Sequence, residues 1–182
     1  MSLSASPLRI KVAGSGYTGY VLSSDFSFIV DAYCQPEVGR PVAQWRQQAV
    51  APFRKHHDLD PQEYAHFARQ PGSEVFVAWL GERQVGHCVI SRNWNNLAYI
   101  DELAVDAPAR RQGVAGALLQ AAKQWAHERS LPGVMLEAQN DNLPACRLYE
   151  RAGFVLGGLD TLRYRGLDPQ AREIALFWYC LN

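Results

Sequence analysis

Three consecutive segments constrain the fold of this chain more than any others. They are a strand-forming run at Leu97–Val105, an amphipathic run from about Arg111 to His127, and an apolar run at Val134–Ala138. In the middle run Val114, Leu118, Ala122 and Trp125 form one stripe, with Ala115, Leu119 and Ala126 beside it, which is helical spacing. A strand, helix and strand of these lengths imply a parallel pair joined by a right-handed crossover. The turn into the helix carries the pattern Arg110-x-x-Gly113-x-Ala115. Small residues there let backbone N–H groups approach a ligand. The first turn of a helix has unpaired N–H groups and the positive end of the macrodipole, so an anion, typically a phosphate, is its natural occupant.

The flanking sequence builds outward from this unit. Val75–Leu80 and Val85–Ser91 read as a hairpin with a four-residue connection, Gly81–Gln84, and Asn93–Asn96 as a polar loop. After the parallel pair, Pro144 opens a helix carrying Ala145, Leu148, Tyr149 and Ala152, and Gly153 closes it. Phe154–Leu156 starts another strand, Gly157-Gly158 reads as a turn with Thr161–Arg165 pairing beyond it, and Glu173–Leu181 is a C-terminal strand. Upstream, strands are expected near Arg9–Val12 and Asp25–Tyr33. A helix is expected over Val42–Val50, from Val42, Trp45 and Ala49, and another over Pro61–Ala68 with Asp60 as N-cap. The order implies a mixed α/β architecture, a sheet with helices on its faces. No linker or repeat divides residues 1–182, so one domain is expected, with residues 1–7 poorly ordered.

Composition excludes several classes. With 18 Lys+Arg against 18 Asp+Glu the chain lacks the basic bias of a nucleic-acid binder. No run of about 18 apolar residues suggests a membrane span. Met1–Pro7 lack the charged and apolar regions of a signal peptide, so a cytoplasmic location is expected. Cys34, Cys88, Cys146 and Cys180 are far apart and read as reduced, packed thiols. Neither they nor His56, His57, His66, His87 and His127 have metal-ligand spacing.

The Arg-x-x-Gly-x-Ala turn, the strand before it, and Asn142-x-x-Ala145-x-x-x-Tyr149-x-x-x-Gly153-Phe154 together resemble the GNAT superfamily of acetyl-CoA-dependent N-acetyltransferases. A Rossmann fingerprint would need Gly-x-Gly-x-x-Gly, which Gly113 and Gly116 do not supply. Within the superfamily, Trp94-Asn95-Asn96-Leu97-Ala98, Ile100-Asp101, Ala122–Ala126, Leu136-Glu137 and Gly153-Phe154-x-Leu156-Gly157-Gly158 resemble streptothricin acetyltransferases. The dense similarity covers residues 93–164, with echoes at Pro52–Lys55 and Phe177–Tyr179.

The resemblance implies a mostly antiparallel sheet with one splayed parallel pair that admits acetyl-CoA. Leu103, Ala104 and Val105 line the pantetheine arm, with a backbone N–H near Leu103 polarising the thioester carbonyl. The N–H groups of Gln112, Gly113, Val114, Ala115 and Gly116 meet the pyrophosphate, and Arg110 and Arg111 add charge or are solvated surface arginines. Asn142 binds the cofactor arm or caps its helix, and Ala145 and Tyr149 complete this side.

Amine acetylation needs a neutral amine, a polarised carbonyl, a protonated leaving thiol and held reactants. Asp101 and Glu102 stand out in an otherwise apolar strand. Strand neighbours alternate faces, so one of the two is expected in the cleft. Asp101 shares a parity with Tyr99 and Leu103 and is the first candidate, Glu102 the second; an ion pair on the surface is the other reading. The role is to bind the substrate ammonium and accept its proton, directly or, since a carboxylate of ordinary pKa is a weak base toward an amine, through a water relay. Tyr149 is the candidate general acid, or else a core tyrosine. Trp94, Asn95, Asn96, Tyr164, Trp178 and Tyr179 are candidates to contact a cationic, polyhydroxylated amine, or else core aromatics and turn amides. The implied activity is acetyl transfer to the β-lysine amine of streptothricin by direct attack. Aminoglycosides, polyamines, protein N-termini and a non-catalytic acyl-CoA-binding module are the alternatives. Many members of the superfamily dimerise, and no feature of the sequence decides for or against a homodimer.

Overall fold

A computed structural model of the chain describes residues 7–56, 60, 62 and 66–182. Seven strands form one sheet in the order β1-β4-β5-β6-β7-β9-β8, and β2 and β3 form a separate ribbon. The strands are β1 (Leu8–Val12), β2 (Phe28–Gln35), β3 (Arg46–Lys55), β4 (Ser73–Leu80), β5 (Arg83–Arg92), β6 (Ala98–Val105), β7 (Gly133–Gln139), β8 (Val155–Asp160) and β9 (Ala175–Leu181). Every pairing is antiparallel except β6 with β7. The expected parallel pair is therefore present, and between its strands runs α2 (Val114–Glu128).

The sheet is covered on both faces. On one, α2 buries Val114, Leu118, Leu119, Ala122, Trp125 and Ala126 against Cys88, Ile90, Ile100 and Leu136. Gly86 permits this approach, since a Cβ there would stand 2.9 Å from Val114 Cγ1 and 3.0 Å from the Ala104 carbonyl. On the other face α1 (Tyr17–Ser23) packs Tyr17, Tyr20 and Val21 against Val75, Val77, Val89 and Ala104. Helix α3 (Leu143–Arg151) is capped by Asn142, whose Oδ1 accepts from the Ala145 amide at 3.2 Å, and ends at Gly153 with φ +86°. Pro144 is at its second position, one later than expected. Among the described residues no helix is long and apolar enough to cross a membrane.

Four expectations need correction. Val42–Val50 is not a helix: Val42–Gln44 is a single 3₁₀ turn that buries Val42 and Trp45, and Arg46–Lys55 is strand β3. Its backbone groups pair with β2, which outweighs a helical stripe whose third member, Ala49, is exposed. The β4–β5 connection is two residues, Gly81-Glu82, because Gly81 takes the φ of +60° that a tight hairpin turn requires. Gly157-Gly158 is not a turn but a bulge inside β8, where a Cβ on Gly157 would fall 2.5 Å from Tyr179 Cδ2. Thr161–Arg165 forms no strand; Arg163–Gly166 is a 3₁₀ turn. The helix expected over Pro61–Ala68 falls mostly outside the described residues, as do residues 1–6. Of that helix Gln62, His66 and Phe67 are helical, and Asp60 Oδ1 accepts from the Gln62 amide at 2.8 Å.

Candidate active site

The site begins where β6 and β7 part. They pair only at Ala98–Ile100 against Val134–Leu136, although β6 continues to Val105 and β7 to Gln139. A bulge in β6 coincides with the divergence. Val89 faces Glu102 and Ile90 faces Ile100, which leaves Asp101 as the extra residue. A bulge bends its strand and increases its twist, and here it turns β6 away from β7. Two cavities occupy the wedge, about 280 Å³ and about 720 Å³ in volume. They share Phe28, Leu103, Asn142, Ala145 and Tyr149 as walls.

The larger cavity lies over the N-terminus of α2. Arg111 and Gly113 adopt φ of +61° and +81°, which turns the chain sharply into the helix. The first helical bond runs from the Ala117 amide to the Gly113 carbonyl, so the amides of Val114, Ala115 and Gly116 precede it. A Cβ on Gly113 or Gly116 would meet nothing within 4 Å, so nothing of the chain crowds these amides. Leu103, Ala104, Val105, Arg110, Arg111, Gly113, Val114, Ala115, Gly116, Asn142, Ala145 and Tyr149 all line this cavity. Gln112 does not; its side chain donates to the Pro108 carbonyl at 3.2 Å. Arg110 folds back, Nε donating to the Val105 carbonyl at 3.1 Å, and so rigidifies the turn. The start of the ribbon is tied to the same loop, with the Ala107 amide on the Asp25 carbonyl at 2.8 Å. Phe26, Phe28 and Ile29 thereby form the outer wall, a contribution that the sequence did not signal.

The smaller cavity carries the carboxylates. Asp101 accepts from Ser91 Oγ at 2.6 Å, and Glu102 lies opposite Val89. Ser91 and Val89 share one face of β5, the face that packs on α1, so both carboxylates lie on that face. This corrects the simple alternation: the bulge puts both acids in the cavity and sends Leu103 to the opposite side, toward the α2 core. Glu137, Tyr99 and Gln139 also line it. Glu137 is legible by the same signal as Asp101, an acid inside an apolar strand; Tyr99 and Gln139 carry no distinguishing signal.

Tyr149 joins the two cavities. Its ring is 8% exposed and held against Phe154 and Trp178, at 6.1 Å and 6.2 Å between centroids. Burial, then the neighbouring Cys146 thiol and the Glu102 carboxylate, raise the phenol's pKa above its ordinary value, so it keeps its proton. Burial likewise pushes the Cys146 thiol up to about 12, which removes it as a nucleophile at neutral pH.

Of the residues expected to contact the amine, only Tyr164 lines the smaller cavity. Trp94, 93% exposed, lies at the end of β6 away from the wedge. Asn95 accepts from the Leu97 amide at 3.1 Å, and Asn96, with φ +67°, accepts from Arg92, so both build the turn. Trp178 is 2% exposed between Trp45 and Tyr149, and Tyr179 packs over Gly157. None of these five lines either cavity.

A cavity over a helix N-terminus, joined to a pocket lined by carboxylates, is a geometry that can be set beside known proteins. The model of the acetyltransferase (GNAT) family matches residues 42–154. The chain belongs to the GNAT family. This GNAT chain is 36% identical over 132 residues to the streptothricin acetyltransferase of Escherichia coli, an alignment covering 72% of each protein. It is 37% identical over 128 residues to streptothricin acetyltransferase A of Bacillus subtilis strain 168, covering 70% of this chain and 73% of that one. A Bacillus anthracis strain Ames protein assigned as a streptothricin acetyltransferase, solved in complex with acetyl coenzyme A, aligns with a TM-score of 0.86 at 35% identity. That alignment covers 97% of this GNAT chain and 100% of the other.

Proposed function

We propose that this chain transfers the acetyl group of acetyl-CoA to the β-lysine amine of streptothricin. The observation that carries the reading is the meeting of the two cavities at Leu103 and Tyr149, with an anion-binding helix terminus on one side and carboxylates on the other. The substrate assignment draws on the streptothricin acetyltransferases that match over most of the chain.

Acetyl-CoA supplies the acetyl group as a thioester. The amides of Val114, Ala115 and Gly116 suit its pyrophosphate, and the edge of β6 that β7 leaves unpaired from Asp101 onward suits its extended arm. The Leu103 amide serves as the donor to the thioester oxygen, an oxyanion-type role. Asp101 and Glu102 hold the substrate ammonium and take its proton, directly or through water. Tyr149, kept protonated by burial, gives a proton to the departing sulfur. The neutral Cys146 thiol, accepted by the Gln139 carbonyl at 3.8 Å, takes no part, so the amine attacks directly and no acyl-enzyme forms. We place the whole of residues 1–182 in one catalytic domain working in the cytoplasm, either as a monomer or as a homodimer.

A turnover assay with acetyl-CoA and a panel of amines tests this. Streptothricin is the expected acceptor. Turnover of an aminoglycoside, polyamine or peptide N-terminus without streptothricin replaces the substrate assignment, and binding of acetyl-CoA with no turnover on any amine overturns the enzymatic reading.

A further inference from the structure

The segment of residues 161–167, whose Tyr164 lines the smaller cavity, is fastened by polar contacts. None of the residues of its 3₁₀ turn is buried, and the flanking Leu162 and Leu167 are 64% and 88% exposed. Apolar burial therefore contributes little to holding it. Asp160 Oδ1 accepts from the Leu162 and Arg163 amides at 2.8 and 3.0 Å, and the anchor from the neighbouring part of the sheet is Glu137 on β7. Arg163 Nε donates to Glu137 Oε1 at 3.0 Å and Arg163 Nη2 lies 2.9 Å from Oε2, while the Tyr164 hydroxyl donates to Oε1 at 2.5 Å. The Glu137 side chain is only 14% exposed, so this paired contact is partly shielded from water. The Arg163 guanidinium also lies 5.8 Å from the centre of the Phe177 ring. Gln139, two residues along β7, sits beside the Tyr164 hydroxyl and accepts from Lys55 Nζ at 2.8 Å. That contact reaches the β2–β3 ribbon, whose Phe28 is another wall of the same cavity.

We propose that Glu137 is a positioning residue that docks the 161–167 segment as a wall of the amine cavity and so determines which amines fit. The inference rests on the proposed function in one respect, that the amine enters this cavity. Glu137 does not itself bind the ammonium. Its oxygens already receive a guanidinium and a phenol.

The experiment uses Glu137→Ala, Arg163→Ala, the double variant and Glu137→Gln. Hydrogen exchange of residues 161–167 is followed together with steady-state kinetics. Glu137→Ala and Arg163→Ala are each expected to speed exchange in that segment and to raise KM for the amine about tenfold, the scale of losing a charged hydrogen bond. KM for acetyl-CoA stays unchanged. The double variant is no worse than the worse single, because both remove one contact. Glu137→Gln, which keeps an acceptor for Tyr164, falls between wild type and Glu137→Ala. The proposal is overturned if Arg163→Ala lowers the amine KM, since the released carboxylate then binds ammonium directly, or if exchange in 161–167 does not change. A wild-type protein that acetylates no amine defeats the proposed function instead, and the exchange result still decides the docking.

Discussion

Asp101 and Glu102 are adjacent in the chain yet face the same side of the sheet, because Asp101 is the additional residue of a bulge opposite Val89 and Ile90. The same bulge starts the divergence of β6 from β7. One irregularity thus opens the wedge and doubles the charge inside it.

Both carboxylates are therefore expected to matter. Asp101→Asn and Glu102→Gln each raise KM for the amine, and the variant that removes the proton acceptor also lowers kcat by about 10²-fold. Steady-state kinetics on the two variants checks this. Wild-type behaviour in Glu102→Gln would leave Asp101 alone with a role at the substrate.

Tyr149→Phe is expected to lower kcat by about 10²-fold while leaving KM for acetyl-CoA near wild type. The sign of the pH dependence follows from burial. A raised pKa means that the phenol holds its proton to higher pH, so no alkaline loss of activity belongs to Tyr149 below about pH 10. A wild-type alkaline limb below that value that disappears in Tyr149→Phe would contradict the assignment.

His87 gives the fold a sensitivity to acid. Its side chain is buried among Tyr17, Tyr20 and Phe26, with Nδ1 3.2 Å from the Tyr20 hydroxyl, and burial lowers its pKa to about 4. The unfolded chain takes up a proton near pH 6.5 that the folded one refuses. Stability from this group is complete above pH 6.5 and falls by roughly 3 kcal/mol as the pH drops toward 4. Urea unfolding of wild type and His87→Gln at pH 7 and pH 4 measures the difference; equal pH dependence in the two would refute it.

Gly86 and Gly116 separate packing from ligand binding. Gly86→Ala forces a Cβ against Val114 and the Ala104 carbonyl and is expected to cost about 1–3 kcal/mol, the range for overpacking. Gly116→Ala meets no protein atom and favours the helix by up to roughly 1 kcal/mol. Yet its methyl stands in the larger cavity and is expected to weaken acetyl-CoA binding. The thermal unfolding midpoint is expected to fall for Gly86→Ala and to hold or rise for Gly116→Ala, while calorimetric titration shows the weaker acetyl-CoA binding in Gly116→Ala.

The legible parts of this protein were those governed by local rules. The strand, helix and strand around Arg110–Ala115 show themselves by period and by turn chemistry, and every residue expected on the cofactor side but Gln112 lines the larger cavity. The amine side was poorly legible because tertiary context decides it. Trp178 and Trp94 look alike as aromatic residues, but one fills the core and the other lies in solvent. Strand β3 has almost no buried face of its own and is held by pairing with β2, so no periodicity announces it. A bulge inserts a residue without any compositional mark, so strand parity alone misplaces Glu102 relative to Asp101.

The most direct test of the account is the site of acetylation itself. The protein is incubated with acetyl-CoA and streptothricin, and the antibiotic is fragmented by mass spectrometry. The account predicts one acetyl group on the β-lysine amine, formed by wild type and formed far more slowly by Tyr149→Phe. Streptothricin recovered unmodified, while acetyl-CoA is consumed on another amine in the same mixture, would contradict it.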